Sequence, residues 1–306
     1  MNSFIMMVGL PSSGKSTYAL EYANLYHATV VSSDNIRKEM FGDINDQNHN
    51  IDVFKEAHKR IICELSNCNN VVFDATNINY KRRKVLIEEI NKFNCKKICN
   101  IVAVPYFECL CRNNLRNRKV PEDVIKRMYL NFYMPQYYEG WDQIYYIWNI
   151  DFNASVFNTH DLFSGMNGLD NISQDNPHHT LTIGYHCKMC SKICELYKSD
   201  KNVVVAGLYH DIGKKFTKVF KNYKGELTDI AHYYNHMNVS AYDAMFYLKQ
   251  KGYNDDDILD ICNLIQWHMR PFDIKTDKAR DKFIRLVGKK FYDRLMILHQ
   301  ADIEAK

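Results

Sequence analysis

The stretch Gly9-Leu10-Pro11-Ser12-Ser13-Gly14-Lys15-Ser16-Thr17 decides how the first half of this 306-residue chain is read. It fits G-x4-G-K-[ST], follows the apolar run Phe4 to Val8 and precedes a helical pattern, the context such a motif needs. Gly9 and Gly14 allow backbone amides to approach phosphate oxygens closely. The helix N-terminus adds unpaired N–H donors and the positive end of a dipole. Lys15 is placed to reach the β- and γ-phosphates of a nucleotide, and the Ser16 hydroxyl to ligate Mg²⁺. Ser12, Ser13 and Thr17 complete the cradle.

Outward from this loop, short apolar runs alternate with helical stretches. Thr29 to Val31, Val71 to Phe73, Ile98 to Val104 and Ile144 to Ile150 read as strands, and Phe54 to Leu65 and Lys81 to Phe93 as helices. That alternation predicts an α/β domain over 1–150, a parallel sheet with helices on both faces. Residues 151–177 are polar and lack periodicity, and read as a linker. From 178 to 306 helical patterns dominate, over 180–198, 202–210, 237–251, 255–268 and 277–300, which predicts an all-α bundle. Lys224-Gly225 marks a small hairpin within 221–230.

Composition bounds the alternatives. Apolar residues at 46% and charged residues at 25% are those of a folded globular chain. Only 12 glycines and 6 prolines predict few long loops. A net charge of +4 permits a phosphate-rich partner without demanding one. No apolar run approaches the roughly 20 residues needed to cross a bilayer, so no membrane partner is expected. Ten scattered cysteines fall short of a disulfide scaffold, and a cytoplasmic protein with reduced thiols is expected. Cys187, Cys190 and Cys194 share one helix face and lack a second pair at zinc-finger spacing, so they read as small core residues.

Three groups near the cradle carry further chemistry. Asp34 ends the second strand, at the carboxyl edge where open α/β sheets bind ligands. It is read as the acceptor of a hydroxyl proton, a helix N-cap being the other reading. Arg37, one helical turn on, would hold an acceptor phosphate. Asp74 follows Val71-Val72-Phe73 and suits a metal-associated or acceptor-positioning acid, a turn residue being the alternative. Arg116 and Arg118 lie on a basic segment before Val120-Pro121. They are read either as stabilising a transferring phosphoryl group or as a solvated face.

These features together resemble the P-loop kinase branch that contains the 5′-hydroxyl polynucleotide kinases. The resemblance rests on the cradle, Ser33-Asp34-x-x-Arg37, Asp74-Ala-Thr-Asn77 and Arg116-x-Arg118-x-Val-Pro121. It implies Asp34 as general base, Arg37 on an acceptor 3′-phosphate, Asp74 and Asn77 on the acceptor side, and Arg116 and Arg118 on ATP. Kinases of small molecules and zeta-type toxins belong to the same branch.

The second half is rich in histidine, and its strongest element is His210-Asp211-Ile212-Gly213-Lys214 after the apolar helix Val203 to Tyr209. Two adjacent ligands need support from elsewhere, which His186 and Asp302 supply. Imidazole plus carboxylate suits a divalent transition metal such as Mn²⁺, Fe²⁺, Ni²⁺, Co²⁺ or Zn²⁺. The order H…HD…D on these residues resembles the HD-domain phosphohydrolases. His236 and His268 resemble the second-ion ligands of the two-metal subset, with Asp211 bridging. Lys214 and Arg270 are then candidates for the substrate phosphate.

The resemblances imply a bifunctional end-repair enzyme. An ATP- and Mg²⁺-dependent kinase would phosphorylate the 5′-hydroxyl of RNA or DNA, RNA being favoured. An HD phosphohydrolase would remove a 2′,3′-cyclic phosphate or 3′-phosphate. Kinase–HD fusions of this kind form an RNA-repair family in which the HD domain usually comes first, an order reversed here. Two other readings remain open, an HD nucleotidase regulated by nucleotide at the P-loop and a small-molecule kinase with an HD partner. The oligomeric state is open too, a homodimer included.

Overall fold

The computed structural model describes residues 2–46, 48–153, 157–177 and 179–306. His178 and residues 154–156 of the expected linker lie outside these. The chain divides into two compact units, one of residues 1–128 and 135–150 and the other of 129–134 and 151–306. The polar stretch after 150 therefore belongs to the second unit, as does the short segment 129–134.

The first unit runs β1 (Asn2–Val8), α1 (Lys15–Tyr26), β2 (Ala28–Ser32), α2 (Ser33–Phe41), α3 (Asn50–Ser66), β3 (Asn70–Asp74), α4 (Tyr80–Ile90), β4 (Cys95–Ala103), α5 (Tyr106–Asn114), α6 (Glu122–Leu130) and β5 (Gln143–Trp148). The strands form a parallel sheet in the order β2-β3-β1-β4-β5. β1 lies at its centre. Its near-continuous apolar run fits a strand covered on both faces. Ile5, Met7 and Val72 pack with Ala19 and Ala23 of α1 on one face. Phe73, the next residue along β3, therefore points to the other face, where Phe54 of α3 meets it edge-on with ring centroids 6.3 Å apart. The expected α/β layering is present, and the P-loop and the ends of β2 and β3 fall along the carboxyl edge of the sheet.

The second unit contains α7 (Thr159–Phe163), α8 (Ile183–Leu196), α9 (Lys201–Tyr209), α10 (Lys214–Thr217), the antiparallel pair β6 (Lys218–Lys221) and β7 (Leu227–Tyr233), then α11 (His236–Gln250), α12 (Asp255–Trp267), α13 (Asp277–Val287) and α14 (Lys289–Glu304). The helical stretch expected over 277–300 is two helices, because Gly288 at φ 86° ends one before the next begins. α8, α9, α12 and α14 pack around one core. Segment 129–134 is tied to this unit by side chains: Asn238 donates to the Leu130 carbonyl at 2.9 Å, and Gln266 donates to Phe132 at 2.9 Å while accepting from the Met134 N–H at 2.8 Å.

Candidate functional sites

In the first unit, Gly14 holds φ 93°, a left-handed turn that lets the chain leave β1 and enter α1 within a few residues. A Cβ there would also stand 2.7 Å from the Asn149 amide nitrogen. Asn149, at the end of β5, donates to the Ser13 carbonyl at 2.9 Å and braces the loop, a role its lone position in sequence does not signal. The Lys15 ammonium is buried and donates to the Leu10 carbonyl at 2.6 Å. Burial lowers its pKa, opposed mainly by the Asp74 carboxylate. Asp74 is itself pushed up by burial, while Lys15 and a hydrogen bond from Ser16 pull the other way. Lys15 and Asp74 thus form a buried pair at the mouth of the cradle, with the exposed Ser16 hydroxyl on Asp74.

Asp34 stands beside them. It is not the cap of α2, because Ser32 fills that place and accepts from the Asn35 N–H at 3.4 Å. Its two oxygens are instead taken by two guanidinium groups, Arg37 at 2.7 Å and Arg118 at 2.7 Å. Arg37 is buried and also donates to Asn50 at 3.0 Å. Arg118 further reaches Asn45 at 2.9 Å and the Ile44 carbonyl at 3.1 Å. Arg116 donates to the Ser12 hydroxyl at 3.3 Å. The segment touches the P-loop through Arg116, which stays exposed, and Asp34 through the half-buried Arg118.

Asn77 departs from the sequence reading. Its amide is buried and donates to the Met7 carbonyl at 2.9 Å, with φ at 49°. Its own carbonyl accepts from Arg83 at 2.8 Å, and Arg83 forms a buried ion pair with Glu139 at 2.7 Å. Asn77 fixes the turn after β3 to β1, and its side chain is spent on backbone.

In the second unit the ligand candidates converge. His186, His210, Asp211 and Asp302 offer atoms within 4.8 Å of one another, and so do Asp211, His236 and His268. All six are buried. Each imidazole has its Nδ1 on a backbone carbonyl: His186 on Ala305 at 2.7 Å, His210 on Gly207 at 2.8 Å, His236 on Tyr233 at 2.7 Å and His268 on Ile265 at 2.6 Å. A carbonyl has no proton to give, so Nδ1 carries the hydrogen in every ring and Nε2 carries the lone pair of the neutral form. Three of these carbonyls lie three residues before their histidine, at a helix end or turn. Nε2 faces Nε2 at 3.2 Å in His186–His210 and again in His236–His268. That separation is the bite of two imidazoles on one ion with bonds of about 2.1 Å. The donor set fits two divalent ions with Asp211 between them, its Oδ2 3.3 Å from His186 and its Oδ1 3.2 Å from His236.

The buried carboxylates favour positive charge at this cluster, supplied by protons or by an ion. Burial disfavours a charged His210, but Asp211 and Asp302 override it and hold that ring well above its ordinary value. Burial disfavours the charge on Asp302 as well, yet hydrogen bonds from His186 and His210 keep its pKa far down. His268 is pushed down to about 3 by burial and by its two imidazole neighbours. Gly213 allows the approach that builds this centre, since a Cβ would stand 2.5 Å from the His236 carbonyl.

A cavity of about 410 Å³ opens on the centre. Lys214 projects into it, 2.6 Å from Asp211 and 2.7 Å from the Gln174 side-chain oxygen, with His179 at 3.4 Å. Gln174 and Tyr233, which the sequence did not single out, orient this lysine. Arg270 does not join it. The turn at Pro271 carries its guanidinium to Asp273, 3.4 Å away, and over the Phe283 ring at 5.8 Å.

Residues 4–135 match the family described as AAA domain, and residues 183–305 match the HD domain. The chain is a P-loop kinase-like domain followed by an HD domain. The kinase-like domain implies ATP with Mg²⁺, and the HD domain a divalent metal. These are the domain types of a phosphotransferase and a phosphohydrolase. An L-seryl-tRNA(Sec) kinase of Methanococcus maripaludis is 29% identical over 150 residues, 45% of this chain and 55% of that protein. The chain thus spans about half the length of that relative. Among solved structures, a chain of the Pnkp1/Rnl/Hen1 RNA repair complex is 22% identical with a TM-score of 0.38, covering 42% of each chain. A gluconokinase from Sinorhizobium meliloti is 16% identical with a TM-score of 0.36, covering 47% of this chain and 81% of that one. Overlays this loose add nothing to the fold described above. Among the described residues no helix is long and apolar enough to cross a membrane.

Proposed function

We propose that this chain is a bifunctional nucleic-acid end-repair enzyme, RNA being the favoured substrate. Its kinase-like domain transfers the ATP γ-phosphate to a 5′-hydroxyl, and its HD domain hydrolyses a 2′,3′-cyclic phosphate or 3′-phosphate. The observation that carries the reading is the pairing, in one chain, of a carboxylate beside a P-loop with a buried His/Asp cluster of metal-ligand type. The two activities act on the two ends left when a strand is cut through its own 2′-hydroxyl. The name of the curated relative, a kinase acting on seryl-tRNA, supports a hydroxyl acceptor borne by RNA.

In the kinase-like domain, Lys15 leaves the Leu10 carbonyl for the β- and γ-phosphates, and Ser16 and Asp74 hold the Mg²⁺ side. The acceptor hydroxyl displaces Arg118 from Asp34 Oδ2, and Asp34 then accepts its proton. Arg37 stays on Oδ1 and faces an acceptor phosphate. Arg116 and the freed Arg118 turn to the transferring group. In the HD domain, the ions supply Lewis-acid activation of water and phosphate. Lys214 neutralises the phosphate, and Gln174 and Tyr233 keep it aimed. The ten cysteines, all free, support a reducing cytoplasmic setting.

Labelled ATP with Mg²⁺, offered to 5′-hydroxyl RNA, 5′-hydroxyl DNA and nucleosides, tests the kinase half. Label should enter the oligonucleotides, and label in nucleosides alone would reject the polynucleotide reading. RNA ending in a 2′,3′-cyclic phosphate or 3′-phosphate, offered with each divalent metal in turn, tests the other half. Release of phosphate from free nucleotides only would favour a nucleotidase.

A further inference from the structure

The β6–β7 hairpin is apolar where it should not be. Tyr223 is 82% exposed and Leu227 80%, and Phe220 and Tyr234 are each more than two-fifths exposed. So many exposed large side chains on one short element mark a contact surface. The hairpin carries three lysines against two acids, Glu226 and Asp229, and Lys218 is already paired with Asp175 at 2.6 Å, which leaves Lys221 and Lys224 for a ligand. Lys218, Lys221 and Lys224 lie along it, with Lys218 5.8 Å from the Phe220 ring and Lys224 5.8 Å from the Tyr223 ring. Its base is continuous with the metal cavity, since Ala231, His232 and Tyr233 of β7 line that cavity. From there His232 and Tyr234 form a parallel pair of rings, 4° apart in plane with centroids 5.6 Å apart, leading outward.

Flat rings interleaved with cations, leading away from a phosphate-cleaving cavity, match the face and the backbone of a single strand. Bases stack on aromatic rings whatever their sequence, and lysines follow the phosphates. A protein partner would suit the apolar side chains but not the lysines placed among them.

We propose that the β6–β7 hairpin is a platform for single-stranded nucleic acid, holding the nucleotides next to the end that enters the HD centre. The proposal rests on the phosphohydrolase reading and deepens it, because it makes a strand rather than a free nucleotide the substrate. Bases stack outward from His232 and Tyr234 toward Tyr223. Lys221 and Lys224 take the phosphates between them.

The test uses the full metal-loaded chain and labelled strands of about ten nucleotides, a length within the usual site sizes. The strands carry a 5′-phosphate and a 3′-hydroxyl, so the kinase-like domain has no 5′-hydroxyl to use and the HD centre has no 3′-phosphate to remove. Single-stranded RNA, single-stranded DNA and duplex are compared by fluorescence anisotropy. Lys221→Ala with Lys224→Ala should weaken single-strand binding about tenfold and lower the salt slope by roughly two phosphates. Tyr223→Ala, and separately Tyr234→Leu, should each weaken it by about fivefold or more. Hydrolysis of a mononucleoside 3′-phosphate should be unchanged in the lysine and Tyr223 variants. Strand binding equal to the unmutated chain in all of these, or equal affinity for duplex, overturns the platform. So does a dimer that these changes dissociate while strand binding stays intact. If no 3′-phosphate is hydrolysed but the variants still lose the strand, the phosphohydrolase reading fails and the platform stands.

Discussion

The two sites are built in opposite ways. The P-loop site is made by neighbours in sequence: Gly9 to Thr17 shape the cradle, and the ends of β2 and β3 add Asp34 and Asp74. Its charges are held by bonds that have to break in use, Lys15 on the Leu10 carbonyl and Asp34 between two arginines. The HD centre draws six candidate ligands from helices and helix ends spread over residues 186 to 302, and its imidazoles are held by backbone carbonyls. In one site the charged groups are engaged with one another, and in the other the imidazoles are fixed through Nδ1 with Nε2 turned inward.

Asp211→Ala should produce the largest effect, since that carboxylate faces both groups of ligands. Elemental analysis should find both ions lost and hydrolysis abolished, with kinase activity retained. Unchanged metal content would refute the centre. His268→Ala should cost mainly the second ion. On the other side of the comparison, Lys15→Ala should lower phosphoryl transfer by about 10³-fold or more while sparing hydrolysis. Equal loss of both activities with the fold intact would end the picture of two independent sites. Asp34→Asn should lower kinase turnover by about 10²- to 10⁴-fold and leave ATP affinity nearly unchanged. A proportional loss of ATP binding would make Asp34 a nucleotide contact. Acid should act unevenly as well. Protons compete with ions for the histidine lone pairs, so metal should leave the HD centre as pH falls.

The contrast also explains what the sequence made legible. A cradle coded by consecutive residues can be read directly, down to the strand before it and the helix after it. His186, His210, Asp211 and Asp302 were readable by order and type. What was missed depends on distant backbone. Nothing near Asn77 says that the Met7 carbonyl will claim its amide, since the partner lies 70 residues away. Arg270 follows a ligand histidine closely in sequence, yet a turn at Pro271 sends it to Asp273. Gln174 and Tyr233 orient Lys214 from segments whose proximity only tertiary packing creates. The buried Arg83–Glu139 pair is coded 56 residues apart. Of the alternatives left open for Asp34, the helix cap is filled by Ser32, and Arg118 lies on the Asp34 carboxylate from 84 residues away.

The smallest expected effect concerns how segment 129–134 is held in the second unit. The Tyr129 hydroxyl donates to the Asp243 carboxylate at 2.6 Å. Burial pushes the Asp243 pKa up from 3.8 to about 7, against that hydrogen bond. Its sign is fixed by linkage. Below pH 4 both the folded and unfolded chains keep the proton, and the group has no effect. Between about pH 4 and 7 the unfolded chain ionises first, so stability falls as pH rises. Above pH 7 the loss levels off at an upper bound of about 4 kcal/mol, and residual solvent contact at Asp243 makes the measured value smaller. Asp243→Asn removes the titration and keeps an oxygen for Tyr129. The variant should therefore melt higher than the unmutated chain at pH 8 and together with it near pH 4. Tyr129→Phe should lower stability at both pH values by about 1 kcal/mol, the ordinary cost of one hydrogen bond. Parallel melting curves for Asp243→Asn and the unmutated chain across this range would mean that Asp243 is already ionised in the fold. The Tyr129 contact would then be charge-assisted, and Tyr129→Phe should cost about twice as much at pH 8 as at pH 4.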